Sequence, residues 1–367
     1  MKIKLVDKYL FKQVLLAGGV CVLLFMIIWI APELLLKTIQ RTLSGQYTPK
    51  LGAEILIFST PQILGNALPV GLLLGTLFTF DKLSKDFELT IFRGIGLSFN
   101  RILAPIVILS VITSFVAFIV QDKIIPFSTA NLIRIKNEDS GSHFVFPLKD
   151  NNGRMEKIVI VSKFSKNTIN EIVVLNFADK SFEGSSQLES IIMSDFARYN
   201  KGEWKLDDAK KYMITTDGIF KNVIDAKNEI ILTGETGSGA HKLMLYSVKN
   251  ERELTNSELY SYITLLKKNN MDDEYRFMLN KFLQRYTHSI ICILFAIFGG
   301  ILGFSQPREQ RLIGFTIAVA TIFLYYITMP FFDLLAEKGI ASPIITATIH
   351  PMLLAIAIVV LKKRKDL

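Results

Sequence analysis

Six stretches of the chain carry no Asp, Glu, Lys or Arg over at least 20 consecutive residues, and polar sequence separates them. A helix that rises about 1.5 Å per residue needs about 20 apolar residues to cross the hydrocarbon of a bilayer. Each stretch is therefore long enough to form one membrane-spanning helix. A long polar block follows the third stretch, so the pattern predicts three spans, an inserted domain and three further spans. The stretches are residues 13–32, 55–80, 102–121, 286–307, 312–332 and 339–361.

The Lys and Arg residues beside these stretches lie mainly on one side of the predicted membrane. Fourteen lie on the side that holds both chain ends, and four (Lys37, Arg41, Lys50 and Lys338) lie in the short loops of the other side. Because loops rich in Lys and Arg remain in the cytoplasm, this asymmetry predicts cytoplasmic termini and an external inserted domain. The net charge of +9 is thus explained at the membrane faces and does not indicate nucleic-acid binding.

Residues 122–254 change from continuous apolar runs to short alternating ones, with Asn, Asp, Gly and Ser in the breaks. This pattern predicts an antiparallel β-sandwich or jelly roll. The predicted strands are residues 157–164, 169–177, 190–199, 204–215 and 229–233. We expect their inward apolar residues to fill the core or, if the sheet is open on one side, to line an acyl-chain groove; examples are Ile158, Ile160, Val173 and Leu175.

Residues 255–281 return to helical spacing. Thr255 followed by Glu258 forms the pattern of a capping box, and the apolar residues after it repeat at helical intervals. This amphipathic helix is expected to return the chain to the membrane surface, or alternatively to rest on the β-domain. The predicted domains are thus residues 1–121 (spans 1–3), 122–254 (β-domain), 255–281 (connecting helix) and 282–367 (spans 4–6).

The sequence predicts no catalytic or metal site. GETGSGAHK, residues 234–242, lacks the Lys directly after the second glycine of a phosphate-binding loop, and a β-turn is expected instead. His288 and His350 fall within predicted spans, where they either relay protons or, as the favoured interpretation, reach interfacial water. Cys21 and Cys292 also fall within spans and are expected to be small apolar packing residues.

The loop between the second and third stretches, residues 81–101, predicts a short amphipathic helix at about 82–96. One side is apolar, and Asp86, Glu88 and Arg93 are among its charged residues. Such a helix either lies on the membrane or docks into the groove of a cytoplasmic partner. The apolar side is formed by Leu83, Phe87, Leu89, Ile91 and Phe92.

Several motifs, in order along the chain, resemble the LptF/LptG permease family over essentially the full length. The most specific is FELT at 87–90 followed by GIG at 94–96. The others are LVDKYL at 5–10, Thr60-Pro61, Pro69, LLG at 73–75, GEWKL at 202–206, and Glu258-Leu259 with Tyr262-Ile263. Two departures are Thr287-His288, where many relatives have proline, and Glu33 in the region that carries the family's basic head-group contacts.

The resemblance implies the fold and the partners of the chain. It implies six transmembrane helices in the bacterial inner membrane, with a periplasmic antiparallel β jelly-roll domain between helices 3 and 4. It also implies the permease subunit of an ABC transporter that extracts lipopolysaccharide. The implied partners are an LptB-like ATPase dimer, a second LptF/LptG-type subunit or a second copy of the chain, and an LptC/LptA-like periplasmic bridge. The chain itself is expected to need no cofactor, because ATP is used by the partner.

The resemblance also suggests site residues. Helix 82–96 becomes a coupling helix, in which Glu88 matches the carboxylate that engages the ATPase, flanked by Asp86 and Arg93. Lys37 and Arg41, four residues apart, share a helix face that can bind an anionic head group, although ordinary interfacial snorkelling explains them too. Leu24 and Ile28 belong to a smooth apolar surface suited to acyl chains.

Two other functions remain open at this level. One is an ion-coupled envelope lipid transporter, and the other is an interaction protein that senses the envelope through its external domain. The ion-coupled alternative has little support, because such transporters need polar groups within their spans and these spans hold few, with Asn66 beside Gly65 as the main exception.

Overall fold

The computed structural model describes residues 5–30, 34–136, 144–149, 155–165, 168–178, 188–214, 220–226, 229–247, 249–304 and 312–365. The chain divides into two compact units, one of Met1–Lys136 with Leu279–Leu367 and the other of Asn137–Met278. The first unit is helical, and the second contains a β-sheet with helices after it.

Six helices in the described residues are long and apolar enough to cross a membrane, which confirms the predicted number of spans. They are α1 (Leu5–Ile30), α3 (Pro49–Lys85), α5 (Phe99–Ile119) with its continuation α6 (Ile125–Lys136), α9 (Asp272–Gly303), α10 (Leu312–Glu337) and α11 (Pro343–Arg364). Two shorter helices of this unit are α2 (Leu36–Leu43) and α4 (Glu88–Gly94).

The third span is longer than its charge-free stretch. A π-helical turn at Val120–Ile124 joins α5 to α6, so the helix continues to Lys136. The predicted β-domain begins at residue 122, where the first charges after the third stretch appear. Helical hydrogen bonding continues past them, and the first described strand begins at Phe144.

α3 and α9 form the centre of the helical unit. In the most apolar part of α3, 72% of residues are buried, and the value for α9 is 67%, against 17% for α1 and α10. One apolar cluster joins α1, α3, α5 and α9 through residues such as Leu10, Phe80, Ile106 and Ala296. The peripheral helices therefore present most of their apolar side chains outward, as lipid-facing helices do.

The second unit confirms the predicted antiparallel sheet. β1 to β4 pair in sequence order, and β4 pairs on its other side with both β5 and β6. The predicted single strand 204–215 is wrong, because Asp208 has a positive φ of 49° and separates β5 from β6. The strands are β1 (Phe144–Lys149), β2 (Met155–Ser165), β3 (Thr168–Phe177), β4 (Leu188–Asn200), β5 (Glu203–Asp207), β6 (Ala209–Ile214), β7 (Phe220–Ala226) and β8 (Ile230–Leu232).

The buried face of the sheet is the opposite of the one expected. Val159 and Val161 of β2 are fully buried, as are Ile172 and Val174 of β3. The residues predicted to fill the core alternate with these and are only partly buried; they are Ile158, Ile160, Val173 and Leu175. Because successive side chains of a strand point to opposite faces, both faces of this strand pair are apolar, and the sequence pattern does not distinguish them.

The expected β-turn at 234–242 is wrong, since α7 (Gly234–Ser247) is a helix. The indole Nε1 of Trp204 donates to the carbonyl oxygen of Gly237 at 3.0 Å, and Leu243 and Met244 are fully buried. Tertiary packing here overrides the low helix propensity of three glycines.

α8 (Asn256–Lys268) has the predicted capping box between Thr255 and Glu258. Its apolar side chains Leu259, Tyr262 and Leu266 are fully buried, and the rings of Tyr262 and Tyr246 of α7 lie 5.7 Å apart. This burial within the second unit favours the alternative in which the helix rests on the inserted domain.

Candidate functional site

The segment that joins α3 to α5 consists of a break in the helix followed by the short helix α4. α3 ends at Lys85 with Asp86 as its C-cap, and Phe87 then adopts a left-handed conformation with φ of 58°. This reversal starts α4 at Glu88 in a new direction. The predicted helix 82–96 is thus the last turn of α3, a break at Asp86-Phe87, and α4 itself.

α4 is fixed on one side and exposed on the other. Leu89 is 2% exposed and belongs to the apolar cluster of the helical unit, against which Phe92 also packs. Phe87, Ile91 and Ile95 are 55%, 59% and 69% exposed. The sequence predicts Phe87, Leu89 and Ile91 on one apolar side, but Leu89 and Ile91 are two residues apart in α4 and therefore lie on different faces, one anchored and one outward.

The charged residues of this segment contact two other helices. The hydroxyl of Tyr9 in α1 donates to Glu88 Oε1 at 3.0 Å, and Arg93 Cζ lies 5.5 Å from the ring centre of Phe304, just after α9. Asp86 is exposed at the end of α3. Sequence reasoning missed Tyr9, because 79 residues separate it from Glu88.

A salt bridge close to this segment was also missed. Arg101 Nη2 at the start of α5 lies 2.7 Å from Asp7 Oδ2 at the start of α1. The side chains are 26% and 14% exposed. The first two turns of α1 are therefore tied to α5 by Asp7 and to α4 by Tyr9.

Lys37 and Arg41 lie on α2, and both are exposed on the same side. The guanidinium of Arg41 donates a hydrogen bond to the hydroxyl of Tyr47, and Arg41 Cζ lies 5.4 Å from the ring centre. Tyr47 thus orients one of the two cations. Tyr47 follows Arg41 by only six residues, but no periodic pattern in the sequence signals the contact between the two side chains.

The two predicted acyl-chain residues lie on the open side of α1. Leu24 is 54% exposed and Ile28 is 69% exposed. On the same helix, Trp29 lies 5.5 Å from Phe25 and 6.2 Å from Tyr326 of α10, measured between ring centres. This surface is apolar and exposed, and the described residues show no contact between Lys37 or Arg41 of α2 and Leu24 or Ile28 of α1.

His288 lies in the interior of the helical unit, so the favoured expectation that it reaches interfacial water is wrong. It is 3% exposed, with Nε2 3.1 Å from the carbonyl oxygen of Gly65 and Nδ1 3.0 Å from the hydroxyl of Tyr325. Because a carbonyl oxygen can only accept, Nε2 carries the proton and Nδ1 accepts from Tyr325. His350 is only partly buried, and its Nε2 lies 2.8 Å from Thr328 Oγ1.

A polar cluster joins α9, α10 and α11. Asp333 of α10 accepts from Asn280 Nδ2 at 2.8 Å, from Gln284 Nε2 at 2.6 Å and from Lys281 Nζ. The hydroxyl of Thr346 in α11 donates to Asn280 Oδ1 at 2.9 Å. These groups satisfy one another, so the cluster is a structural connection of three helices. The membrane-spanning helices therefore hold more polar groups than the charge-free stretches suggested. α9 begins before the fourth stretch and includes Asn280, Lys281 and Gln284.

No group of three or more His, Cys, Asp or Glu suited to holding a metal ion occurs among the residues that the structure describes. Cys21 and Cys292 are both buried and unbonded to each other. Their burial agrees with the packing role expected from the sequence.

The family model described as lipopolysaccharide export system permease LptF/LptG matches residues 8–364. This chain belongs to the LptF/LptG family. The match confirms the resemblance seen in the motifs, and comparison with curated proteins finds no match.

Membership of the LptF/LptG family makes the chain a permease of the lipopolysaccharide export system, with several membrane spans. The matched range includes every predicted site residue, from Leu24 to Arg93. It also includes Tyr9, Tyr47 and His288, whose side-chain contacts the family motifs do not reveal.

Proposed function

We propose that the chain is the transmembrane permease subunit of an ABC transporter that extracts lipopolysaccharide from the inner membrane and passes it to a periplasmic bridge. A separate cytoplasmic ATPase drives the export. The observation that carries this proposal is the outward apolar side of α4, formed by Phe87, Ile91 and Ile95. A short helix with one side anchored and the other exposed is suited to insertion into a groove of a partner.

The orientation rests on the distribution of basic residues. Fourteen Lys and Arg flank the spans on the side of the chain ends and of α4, against four on the other side. Both termini and α4 then lie in the cytoplasm, and the β-sheet lies in the periplasm. This orientation puts the exposed side of α4 within reach of a cytoplasmic ATPase.

The partner at α4 is an LptB-like ATPase dimer. Phe87, Ile91 and Ile95 are its apolar anchors, while Asp86, Glu88 and Arg93 supply the charges around them. Glu88 has two carboxylate oxygens, so it can accept from Tyr9 on one and face the ATPase with the other. ATP binds to the partner, and the chain itself uses no cofactor.

The lipid path begins at the outer end of α1. Lys37 and Arg41 bind the anionic head group, with Tyr47 holding the Arg41 guanidinium in place, and Leu24 and Ile28 face the acyl chains. A second LptF/LptG-type subunit, or a second copy of this chain, closes the other side of the path. Charge-assisted hydrogen bonds from a guanidinium are well suited to phosphate groups.

The inserted domain passes the lipid onward to an LptC/LptA-like bridge. The partly buried face of β2 and β3 supports this step, because Ile158 lies opposite Leu175 and Ile160 opposite Val173 in the sheet. Four aliphatic side chains on the face away from the core provide an apolar strip of the kind that acyl chains require.

Co-purification with the ATPase tests the coupling role. Ile91→Glu should abolish stoichiometric recovery of the ATPase, because a buried carboxylate without a partner is costly. Ile224→Glu is the matched control, since Ile224 is 49% exposed on β7 and far from α4 in sequence. Glu88→Lys should also lose the ATPase. Glu88→Gln keeps an oxygen that accepts from Tyr9 but removes the charge, so it shows which of the two ATPase binding requires. Recovery of the ATPase with Ile91→Glu at the wild-type level would contradict the coupling role.

Crosslinking of a photoactivatable lipopolysaccharide tests the head-group site. Lys37→Ala with Arg41→Ala should lower the yield at the outer end of α1, whereas Lys50→Ala, at an exposed cation on α3, should leave it unchanged. Equal yields in all three proteins would favour interfacial snorkelling. Export that continues without ATP but stops when the proton gradient is dissipated would instead support the ion-coupled alternative.

A further inference from the structure

A groove of about 750 Å³ opens between α5, α9 and α11, on the side of the helical unit that carries the chain's carboxyl end. This size lies within the range of about 300–1,000 Å³ typical of small-molecule sites. None of the proposed ATPase-coupling or lipopolysaccharide-binding residues lines it. Each helix contributes residues at helical spacing, such as Leu103 and Val107 of α5 with Ile297 and Ile301 of α9.

Apart from Phe99, the apolar residues that line the groove have branched aliphatic side chains. Leu103 and Ile301 are 6% and 0% exposed and form its floor, whereas Val359 of α11 is 55% exposed at its rim. Helices that associate within membranes pack closely through small residues. The groove has branched side chains in those places, so flexible hydrocarbon fits it better than another helix does.

One end of the groove is cationic. Lys362 and Lys363, in the last turn of α11, line this end together with Asn100 in the first turn of α5. Lys362 Nζ donates to Asn100 Oδ1 at 2.8 Å, which holds the ammonium group at the groove. Lys365 is engaged elsewhere, since its Nζ donates to the carbonyl oxygen of Ile301 at 2.9 Å and to that of Phe304.

We propose that this groove binds one anionic glycerophospholipid, with its phosphate at Lys362 and Lys363 and an acyl chain along Leu103, Val107 and Ile297. The apolar walls and the two ammonium groups at one end match the two parts of such a lipid. Basic pockets between transmembrane helices on the cytoplasmic side are suited to anionic head groups. The site goes beyond the proposed export function. It rests on that proposal in one respect only, the orientation, which places the lipid in the inner leaflet of the membrane.

The site has a consequence for the helical unit. A lipid held there contacts α5, α9 and α11 together, and α5 follows α4, the proposed coupling helix, directly in the chain. Its binding would stabilise the folded helices by mass action. Anionic lipid should therefore raise the thermal unfolding midpoint of the full chain more than zwitterionic lipid does.

Native mass spectrometry of the detergent-solubilised full chain tests the proposal. The chain is titrated with 1-palmitoyl-2-oleoyl-phosphatidylglycerol or with the phosphatidylcholine that has the same acyl chains. We expect one phosphatidylglycerol to bind, and Lys362→Gln with Lys363→Gln to weaken it about tenfold, since each surface cation contributes to the attraction of anionic lipid. Arg364→Gln is the matched control, because Arg364 is on the same helix turn but does not line the groove, and should change binding by less than about twofold.

The apolar part is tested separately. Val359→Trp places a large side chain at the rim and should weaken phosphatidylglycerol binding without removing a charge, while the thermal unfolding midpoint without lipid reports that the variant folds. Equal binding of the two lipids, equal loss in Arg364→Gln and in the double variant, or unchanged binding in Val359→Trp would each overturn the proposal. Displacement of the lipid by inorganic phosphate as readily as by phosphatidylglycerol would also overturn it, by revealing a bare anion site. The assay contains neither ATPase nor lipopolysaccharide, so its failure leaves the proposed export function untouched.

Discussion

Pro69 leaves one carbonyl oxygen of α3 without its usual helical hydrogen-bond donor, and a side chain from another helix donates to it instead. Its ring nitrogen has no hydrogen to donate to the carbonyl oxygen of Gly65, four residues earlier. His288 Nε2 of α9 lies 3.1 Å from that oxygen and supplies the missing donor. Tyr326 donates similarly to the carbonyl oxygen of Asn66 at 2.7 Å, although the amide of Val70 is available to that group in the helix.

His288→Ala should lower the free energy of unfolding by about 1–3 kcal/mol, because it leaves the buried carbonyl of Gly65 without a donor. Thermal unfolding of the purified chain measures this loss. In a Pro69→Ala background the helix regains an amide hydrogen for Gly65, so the same substitution should cost clearly less. Tyr326→Phe should cost less than His288→Ala in the wild type. If the changes in the free energy of unfolding caused by Pro69→Ala and His288→Ala simply add, His288 does not replace the missing amide donor to Gly65.

The sequence contains both halves of this interaction but does not connect them. Pro69, Gly65 and His288 are visible as a helix-breaking residue, a flexible neighbour and an intramembrane histidine. The hydrogen bond joins positions 223 residues apart, and periodicity reports only local structure. The sequence therefore places His288 within a span correctly but does not show that its side chain is buried.

At the scale of elements, glycines set how closely α1, α3 and α9 approach. A Cβ atom on Gly75 of α3 would lie 2.4 Å from Gly18 Cα of α1, and one on Gly299 of α9 would lie 2.4 Å from the carbonyl oxygen of Leu73. Gly71 and Gly303 complete two pairs at a spacing of four residues, the small-residue pattern of close helix packing in membranes. The LLG motif at 73–75 thus has a packing reason for its glycine.

Gly75→Ala should destabilise the chain by about 1–3 kcal/mol, as overpacking does when neither backbone can move away. Gly19→Ala is the control on α1, since a Cβ there meets nothing within 4 Å and Ala favours the helix. The midpoint of thermal unfolding should therefore fall for the first variant and stay level or rise for the second. Equal midpoints for the two variants would mean that α1 and α3 are not closely packed at Gly75.

The start of α8 depends on the charge of Glu258. Burial alone would raise its pKa, but hydrogen bonds from the Thr255 amide, Lys249 and the Thr255 hydroxyl together hold the pKa below its usual value. A carboxyl whose pKa is lower in the folded state contributes stability above its unfolded pKa, and that contribution is lost as pH falls through the folded value. The capping box should thus weaken below about pH 4.5.

Glu258→Gln should remove most of this pH dependence and make the first turn of α8 less stable at neutral pH, by about 1 kcal/mol, a typical capping energy. Amide hydrogen exchange in the full chain measures protection of that turn at several pH values. Glu203→Gln, on the exposed side of β5, is the control for loss of a negative charge. If the wild type and Glu258→Gln lose protection in parallel as pH falls, another group is responsible.

Elements with strong local signals could be predicted from the sequence, and elements set by tertiary contacts could not. The Thr255–Glu258 capping box and the six spans follow from local patterns. α7 does not, because its helix depends on Trp204 reaching the carbonyl of Gly237 and on the burial of Leu243. In β2 and β3 both faces are apolar, so alternation alone does not say whether Ile158 or Val159 points to the core.

At the scale of the whole molecule, side-chain contacts connect α4, the proposed coupling helix, to α1, which bears the proposed acyl-chain residues. Glu88 accepts from Tyr9, two residues from Asp7, and Asp7 pairs with Arg101 at 2.7 Å. α4, α5 and the first turns of α1 are thus joined at one end of the bundle. Leu24 and Ile28 lie farther along α1, which is the least buried span together with α10. If the ATPase displaces α4 as proposed, we expect these contacts to pass the displacement on to α1, because a continuous helix moves as a unit over this length.

Tyr9→Phe removes only the hydroxyl that joins α1 to Glu88. ATPase recovery on co-purification should stay at the wild-type level, because the outward side of α4 is unchanged. Lipopolysaccharide transport per ATP hydrolysed should fall roughly two- to fivefold, as expected for loss of about 0.5–1 kcal/mol from an exposed hydrogen bond to a charged group. Tyr286→Phe is the matched control, since it keeps the ring contacts with Phe118 and Phe282 and lies away from α4. A wild-type transport ratio in Tyr9→Phe would mean that motion reaches α1 by the backbone of α3 instead, whereas loss of ATPase recovery would mean that Tyr9 positions Glu88 for docking rather than transmitting its movement.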